Sequence, residues 1–179
     1  MMRRINTEKG FSVLELVVAV AILAVIAGGT IPLLEAAKQR AQASGAADAL
    51  AGAVREARTR AVATGWQYRI LGFNADGASA FRNQYRVMAR SSAGLAWPDD
   101  TAAPFESTTL MAGPWINFNT RYPGVKLTPQ DGSAQFWVAV DARGVAFDIS
   151  PGFSPLQVVG QTGTTRSLSI STVGSVRVQ

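Results

Sequence analysis

An uncharged apolar segment limits the folds open to this chain more than any other feature of its sequence. No charged side chain occurs over the 19 residues from Leu16 to Leu34. At a helical rise of 1.5 Å per residue, such a segment is long enough for a bilayer core of roughly 30 Å. Three basic residues lie among the ten that begin the chain, and the positive-inside rule keeps a basic flank cytoplasmic. The sequence therefore predicts a single membrane-spanning helix whose C-terminal side lies outside the cytoplasm.

One carboxylate, Glu15, lies directly before this apolar segment. An unpaired charge in hydrocarbon costs about 2.5 to 3.5 kcal/mol on insertion scales, so acids in such places usually have a partner. Two interpretations follow from the residues: Glu15 pairs with a positive group in an apolar environment, or it rests at the level of the lipid headgroups.

A cleaved secretory signal is a competing interpretation of the same segment. A basic start, an apolar stretch and the small residues Ala27, Gly28 and Gly29 match its three regions. Against it, Glu15 stands where the apolar centre of a signal should begin, and the helical pattern continues beyond Pro32.

Residues 35–64 predict an amphipathic helix that continues the apolar one, giving one helix from about Phe11 to Thr64. The expected buried stripe is Leu50, Val54, Ala57 and Ala61, spaced by four, three and four residues. Charged residues occupy the opposite face: Asp48, Arg55, Glu56, Arg58 and Arg60. We interpret the arginines there as a solvated face that also favours the helix dipole, rather than as an anion site. Gly65 is the expected C-cap.

After Gly65 the pattern changes to short strands separated by turn residues, and it predicts a β-rich head over residues 65–179. The expected strands lie at 67–73, 81–90, 124–128, 134–141 and 145–150, with a terminal hairpin of 165–172 and 175–179. Residues 91–115 are expected to form a long loop, and another loop should precede the terminal hairpin. The fold class is therefore α+β, a long N-terminal helix packed on an antiparallel β-sheet head.

The composition gives no support to catalysis, a metal site or a cofactor. The chain has no His and no Cys, which removes the commonest general base, thiolate nucleophiles and the usual zinc ligands. Asp131, Asp141 and Asp148 do not fit a calcium loop, and we interpret them as turn and strand-end acids. Without residues 1–10 the chain keeps 14 basic and 11 acidic residues, so its net charge falls from +5 to +3. Enzyme function is therefore not predicted.

Aromatic residues are numerous enough in the head for a base-stacking surface, although core or interface packing is the preferred interpretation. They are Trp66, Trp97, Trp115, Phe118, Tyr122, Phe136 and Trp137.

The stretch Lys9-Gly10-Phe11-Ser12-Val13-Leu14-Glu15 resembles the processing site of type IV pilins and of the pseudopilins of type II secretion. The resemblance implies a leader at residues 1–10, cleavage between Gly10 and Phe11 by a prepilin peptidase, and N-methylation of Phe11. It further implies that residues 11–34 form a transmembrane and filament-core helix. There Glu15 would pair with the terminal amine of a neighbouring subunit's Phe11. Pro32 matches a proline that recurs in such helices, and we expect it to kink or loosen the helix.

The order FWVAVDARGVAFD, followed by Arg166-Ser-Leu-Ser-Ile and Gly174-Ser-Val-Arg-Val, is similar to the GspH/FimT group of minor pseudopilins and minor pilins. This resemblance implies a type IV pilin-like fold and a structural subunit that is anchored in the inner membrane with its head in the periplasm, then assembled into a filament. The implied partners are other pilins or pseudopilins, the prepilin peptidase and an inner-membrane assembly platform.

Two other functions remain open at this point. Some FimT-like minor pilins bind DNA through a basic C-terminal region, and Arg166 and Arg177 fall in the corresponding region here. A nucleic-acid partner is nonetheless the less favoured hypothesis, because the mature charge is modest. The other alternative is a secreted β-rich domain with an ordinary cleaved signal.

Overall fold

A computed structural model of the chain describes residues 12–171 and 173–179. The chain divides into two units, Met1–Lys38 and Gln39–Gln179. One helix, α1 (Val13–Thr64), contributes residues to both units. The prediction of one long apolar helix followed by an antiparallel β-sheet domain is confirmed, and the fold is α+β.

In the first unit, α1 begins at Val13 and exposes its apolar side chains. Ser12 caps the helix, since its Oγ accepts a hydrogen bond from the Leu14 amide at 3.2 Å. The described large apolar side chains between Val13 (79% exposed) and Leu34 (74% exposed) are all at least half exposed. Such a helix needs either an apolar solvent or other helices around it.

In the second unit, α1 buries one face and exposes the other, as its sequence predicts. Leu50, Val54, Ala57 and Ala61 are all at most 1% exposed. The charged residues of the opposite face are exposed. The helix ends where Gly65 adopts a left-handed conformation at φ +73° and donates its amide to the Ala61 carbonyl at 2.9 Å, as expected of a glycine cap.

A seven-stranded antiparallel sheet forms the larger β layer of the head. Its strands are β1 (Gln67–Phe73), β2 (Gln84–Arg90), β3 (Phe105–Glu106), β4 (Leu110–Ala112), β5 (Ile116–Asn117), β7 (Gln135–Val140) and β8 (Ala146–Ile149). The order is β3-β4-β2-β1-β7-β8, with β5 paired to β2 beside β4. Strands β3 and β8 are therefore the two edges of this sheet.

A four-stranded antiparallel sheet forms the other β layer. It contains β6 (Lys126–Pro129), β9 (Leu156–Val159), β10 (Thr165–Ile170) and β11 (Val176–Val178), in the order β11-β10-β9-β6. Two short helices connect strands: α2 (Phe118–Arg121) and a 3-10 turn (Pro151–Phe153). The terminal hairpin of β10 and β11 is confirmed.

The main core lies where both sheets meet the buried stripe of α1. Inward residues of β1 and β7, such as Ile70 and Val138, share this core with Leu168 of β10. Close packing is achieved partly by small residues: Gly72 pairs directly with Phe136, and a Cβ on Gly72 would clash with the Phe136 ring. The aromatic ring thus occupies the space above the glycine.

The prediction of a long loop with little regular structure at residues 91–115 is wrong in part. Strands β3 and β4 form a short hairpin there, added to the edge of β2. These strands have only two and three residues, which is too short for a recognisable strand periodicity. Strand β9 likewise lies inside the segment expected to be a loop before the terminal hairpin.

The second expected strand begins later than predicted, at Gln84 instead of Phe81. Asn83 has a positive φ of 58°, which interrupts extended structure, and its side chain is buried. The side-chain nitrogen of Asn83, Nδ2, donates to the Val125 carbonyl at 2.8 Å. The side-chain oxygen, Oδ1, accepts from the Leu127 backbone amide at 2.9 Å. This asparagine therefore joins the start of β2 to the start of β6.

A buried cation, Arg86, is bonded to the chain on both sides of the β3–β4 hairpin. Its guanidinium donates hydrogen bonds to the backbone carbonyls of Asp100, Ala102 and Gly113 at 2.9 to 3.2 Å. It also lies 4.9 Å from the centre of the Trp115 ring. Burial lowers the pKa of Arg86, and the charge of Asp100 opposes that effect. Arg86 thus fastens the chain around the β3–β4 hairpin to the outer face of the sheet.

Candidate assembly sites

Two residues expected to undergo processing, Gly10 and Phe11, lie outside the described residues, and their roles stay predictions. The nearest described residue of the processing segment is Ser12, which caps α1. The Glu15 and Leu16 amides both donate to the Ser12 carbonyl, at 3.0 and 3.2 Å. The chain therefore enters the helix directly after the expected cleavage point.

Glu15 lies in the first turn of α1, where a carboxylate is favoured by the positive end of the helix dipole. Ser12 and Glu15 also have the spacing of a capping box, which is a local reason for an acid at this position. Within residues 12–171 and 173–179, however, the Glu15 carboxylate has no hydrogen-bond or ion-pair partner. It is available to a group from outside the described chain.

The first half of α1 provides the apolar surface that accompanies Glu15. Its most apolar window has a mean hydropathy of 2.5, and none of that window is buried. The helix is long and apolar enough to cross a membrane. It also continues through Pro32 without ending, and the expected kink there stays a prediction.

The two arginines of the DNA-binding hypothesis lie on opposite faces of the four-stranded sheet. Arg166 shares the inward face of β10 with Leu168, and its Nε donates to Ser44 Oγ on α1 at 3.2 Å. Arg177 pairs in register with Ser169, which lies on the other face. The sheet therefore does not combine them into one basic surface.

The candidate calcium acids make turn and strand hydrogen bonds. Asp131 accepts from the Ser133 amide at 3.0 Å, and Asp148 accepts from the Trp137 indole at 3.0 Å. Asp141 accepts from the amides of Arg143 and Val145, both at 2.9 Å. In the part of the chain that the structure describes, no group of three or more potential acidic, His or Cys ligands could hold a metal ion.

The aromatic residues separate into two environments. Phe118 and Phe136 are fully buried in the main core, and Trp66 and Tyr122 pack against it. The other three tryptophans lie on the outer face of the large sheet with arginines. Arg69 is 4.9 Å from the Trp137 ring centre and Arg90 is 4.3 Å from that of Trp97. These rings are engaged with neighbouring side chains of the head, as core or interface packing predicts.

Sequence reasoning missed a groove between α1 and the β3 edge of the sheet. The groove has a volume of about 450 Å³. Its walls are mostly apolar and include Ala53 and Ala57 of α1, Val87, Phe105, Met111 and Ile116. Glu56 and Arg60, paired at 2.6 Å, lie along the helix side, and Glu106 lies on the strand side. Because three short strands build it, no sequence periodicity marked it.

At the other edge of the same sheet, Phe147 is 45% exposed. Ala139 pairs with Asp148 and Val140 pairs with Ala146, so Phe147 is the extra residue of a β-bulge. A bulge re-aims a side chain out of the regular alternation. This explains how Phe147 comes to be exposed next to the buried Ala146.

Residues 5–31 match the family model of the prokaryotic N-terminal methylation motif. No curated protein and no solved structure matches the chain. The motif covers the expected cleavage point, Glu15 and the first turns of the exposed helix. It supports a processed, pilin-like structural subunit, and together with the apolar helix it fits anchoring in a membrane.

Proposed function

We propose that this protein is a minor pilin or pseudopilin, a non-enzymatic subunit that joins or primes the filament of a type IV pilus or a type II secretion system. One observation carries the proposal: a methylation motif leads directly into a helix whose first half exposes its apolar side chains while its second half is built into an α+β head. The assignment to the GspH/FimT group rests on the resemblance of the head sequence.

The mechanism follows from the two environments of α1. Before assembly the apolar half is held in the inner membrane, with the head in the periplasm. A prepilin peptidase removes residues 1–10, and the new terminus at Phe11 is methylated. An assembly platform then extracts the subunit, and the apolar surface exchanges lipid for the helices of other subunits.

Glu15 provides register in this mechanism. In an apolar helix bundle, its unpartnered carboxylate pairs with the terminal amine of a neighbouring Phe11, and the low local dielectric strengthens the attraction. The pair forms only when two helices have the correct axial offset. Catalysis has no part in this function.

The test compares Glu15→Leu with Glu35→Leu, a control that removes an exposed acid from the same helix. The measured quantity is the ratio of this subunit in sheared filaments to that in membranes, at equal expression. We expect Glu15→Leu to leave cleavage and insertion intact and to lower the ratio about tenfold, which corresponds to about 1.4 kcal/mol. The cause is the neighbouring amine, left unpaired in an apolar core. The control should keep the wild-type ratio.

An unchanged ratio for Glu15→Leu would exclude Glu15 as the assembly determinant. The mature N-terminus provides an independent check on the whole proposal. Intact-mass measurement should give a chain that begins at a methylated Phe11, whereas a start near Thr30 would indicate an ordinary secretory signal.

A further inference from the structure

Three of the sheet edges in the head are closed to a further strand. Strand β3 has two residues and follows Pro104, which has no amide to donate. Strand β8 is bulged at Phe147. Strand β6 is already bonded to the head on its outer side, because the Leu127 amide donates to the Asn83 side chain and the Leu127 carbonyl accepts from the Ala75 amide, both at 2.9 Å. Short strands, bulges and covered edges are the usual means by which proteins prevent edge pairing.

The remaining edge, β11 of the four-stranded sheet, is regular and open. Gln179 and Ser167 of β10 exchange backbone hydrogen bonds, both at 2.9 Å. Because bonded and non-bonded pairs alternate along an antiparallel ladder, the backbone of Arg177 also faces β10, whereas the N–H and C=O groups of Val176 and Val178 point away from it. Within the described part of the chain, no group is bonded to these outward donors and acceptors. Strand β11 therefore presents an unpaired row to an extended backbone.

The side chains of β11 indicate what kind of strand would fit beside it. Val176 and Val178 lie on the inward face with Ile170 and Leu168 of β10. The two β10 residues are buried, but the valines are only partly covered. On the other face Arg177 is exposed, and it has no ion pair with any described residue. Since side chains directly opposite across strands interact, the fitting strand has an acid between two apolar residues.

A second copy of this chain does not supply that strand. Its β3, β6 and β8 edges are closed for the reasons given above, so only its β11 could pair. Pairing through the outward groups of Val176 and Val178 would place the two Arg177 side chains opposite each other, and like charges in that position destabilise a sheet. A minor subunit is moreover surrounded by other subunits in the filament proposed above. The observations therefore favour a different protein as the source.

We propose that β11 accepts an extended strand from the head of a different filament subunit, with an acid opposite Arg177 and apolar residues beside Val176 and Val178. The inference rests on the proposed function and specifies a partner for it. In strand addition, backbone hydrogen bonds provide the attraction and alternating side chains provide the selectivity. Because β11 is short, the contact acts together with helix packing, which keeps the two heads at a high local concentration.

Amide hydrogen exchange tests this contact in the wild-type, full-length chain. Exchange is measured residue by residue in detergent, in membranes and in sheared filaments. In detergent the Arg177 amide, which is bonded to β10, should be protected, whereas the Val176 and Val178 amides should exchange rapidly. In filaments we expect these two amides to exchange about tenfold more slowly, equivalent to about 1.4 kcal/mol. Equal rates in detergent and in filaments would overturn strand addition.

A proline variant tests the outward amide. Val178→Pro removes an N–H that is not bonded to β10, and edge strands tolerate proline at such positions. Its matched control, Val178→Ala, keeps the amide and loses only side-chain atoms. We expect the filament-to-membrane ratio of Val178→Pro to be about tenfold below that of Val178→Ala. Equal ratios would contradict the proposal, and if Val178→Pro does not fold, the exchange rates of the wild-type chain decide.

Charge reversal tests the selectivity of the edge. Arg177→Glu should lower the filament-to-membrane ratio about threefold, the size of a cross-strand charge pair, and Arg177→Lys should largely keep it. The control Arg82→Glu reverses an exposed arginine before β2 and should have no effect. An unchanged ratio for Arg177→Glu would remove the acid from the description of the partner strand.

Photo-crosslinking identifies the occupant. A photoreactive residue in place of the exposed Gln179, on the same face as Arg177, is activated in purified filaments. The expected product joins this chain to a different filament subunit, at an extended segment with an acid between two apolar residues. A product with a second copy of this chain only, or with a helix of another subunit, would overturn the assignment.

The two proposals fail separately. If the chain is present in filaments but Val176 and Val178 exchange there as they do in detergent, the edge contact is wrong and the filament function stands. If the chain never reaches filaments, the filament function is wrong, and exchange in the membrane fraction decides whether β11 accepts a strand.

Discussion

The two halves of α1 have opposite relations between hydrophobicity and burial. Residues 13–34 form the more apolar half, yet their large side chains are at least 50% exposed where described. Residues 43–61 include six alanines and two larger apolar residues that are at most 1% exposed, and these eight form the buried face: Ala43, Ala46, Ala47, Leu50, Ala51, Val54, Ala57 and Ala61. The less hydrophobic half is the one built into a protein core.

The arrangement of apolar residues explains the difference. A helix that is apolar on all sides has no face to keep in water, so it suits lipid or a bundle of like helices. A helix with a single stripe of small residues can press that stripe against a sheet and leave its charged face in solvent. The first half is apolar on all sides, so it requires an apolar environment. The second half has its small apolar residues on one side, so that side packs against the sheet.

The largest expected effect comes from leucine truncation in the two halves. Leu50→Ala should reduce the free energy of unfolding of the head by about 2–5 kcal/mol, because it opens a cavity in a filled core. Leu23→Ala, at a position that is 64% exposed, should leave it unchanged. Denaturant unfolding of the full chain in detergent can be followed by tryptophan fluorescence, because all four tryptophans lie in the head. Equal losses would contradict the comparison.

A change of charge should affect membrane insertion when it is made in the first half of α1 and not when it is made in the second half. Leu23→Arg should cost about 2.5–3.5 kcal/mol for membrane insertion, because it puts a cation near the centre of the apolar segment. Arg55→Leu, on the exposed face of the second half, should not change insertion. The fraction of the chain that resists carbonate extraction from membranes measures this. Full retention of Leu23→Arg would mean that the first half is not the anchor.

Enlarging a small residue should affect only the packed half. Ala47 is fully buried, so Ala47→Leu should destabilise the head by about 1–3 kcal/mol through overpacking. Ala19→Leu adds the same atoms to an exposed position and should not alter head unfolding. The same fluorescence measurement applies, and a neutral Ala47→Leu would show that the sheet does not press closely on α1.

The smallest expected effect concerns helical glycines. A Cβ at Gly52 or at Gly28 would meet nothing within 4 Å. Gly52→Ala should therefore stabilise the head by about 0.5–1 kcal/mol, because alanine has less backbone entropy to lose. Gly28→Ala should leave head unfolding unchanged. A loss of stability in Gly52→Ala would reveal a contact on that face of the helix.

Local pattern was sufficient to predict the elements with long or regular sequences. The helix, its buried stripe and its glycine cap were predicted, and so were β1, β7, β8 and the terminal hairpin, because each has a clear period or turn residue. The β3–β4 hairpin and β9 were missed. The β3–β4 hairpin pairs with β2 and is flanked by the carbonyl partners of Arg86, which lie 14 to 27 positions further along the chain than Arg86. Strand β9 is held by its pairing with β6 and β10.

The sequence by itself determined that the chain has an apolar N-terminal helix with a methylation motif and one acid, followed by an amphipathic helix and a β-rich head. Those properties depend on residues within a few turns of one another, so short-range spacing is enough to encode them. Only the tertiary structure decided that Arg166 and Arg177 lie on opposite faces, that a bulge exposes Phe147, and that the opposite sheet edge forms a groove. Strand register and sheet order set these features, and both arise from contacts between residues far apart in the chain.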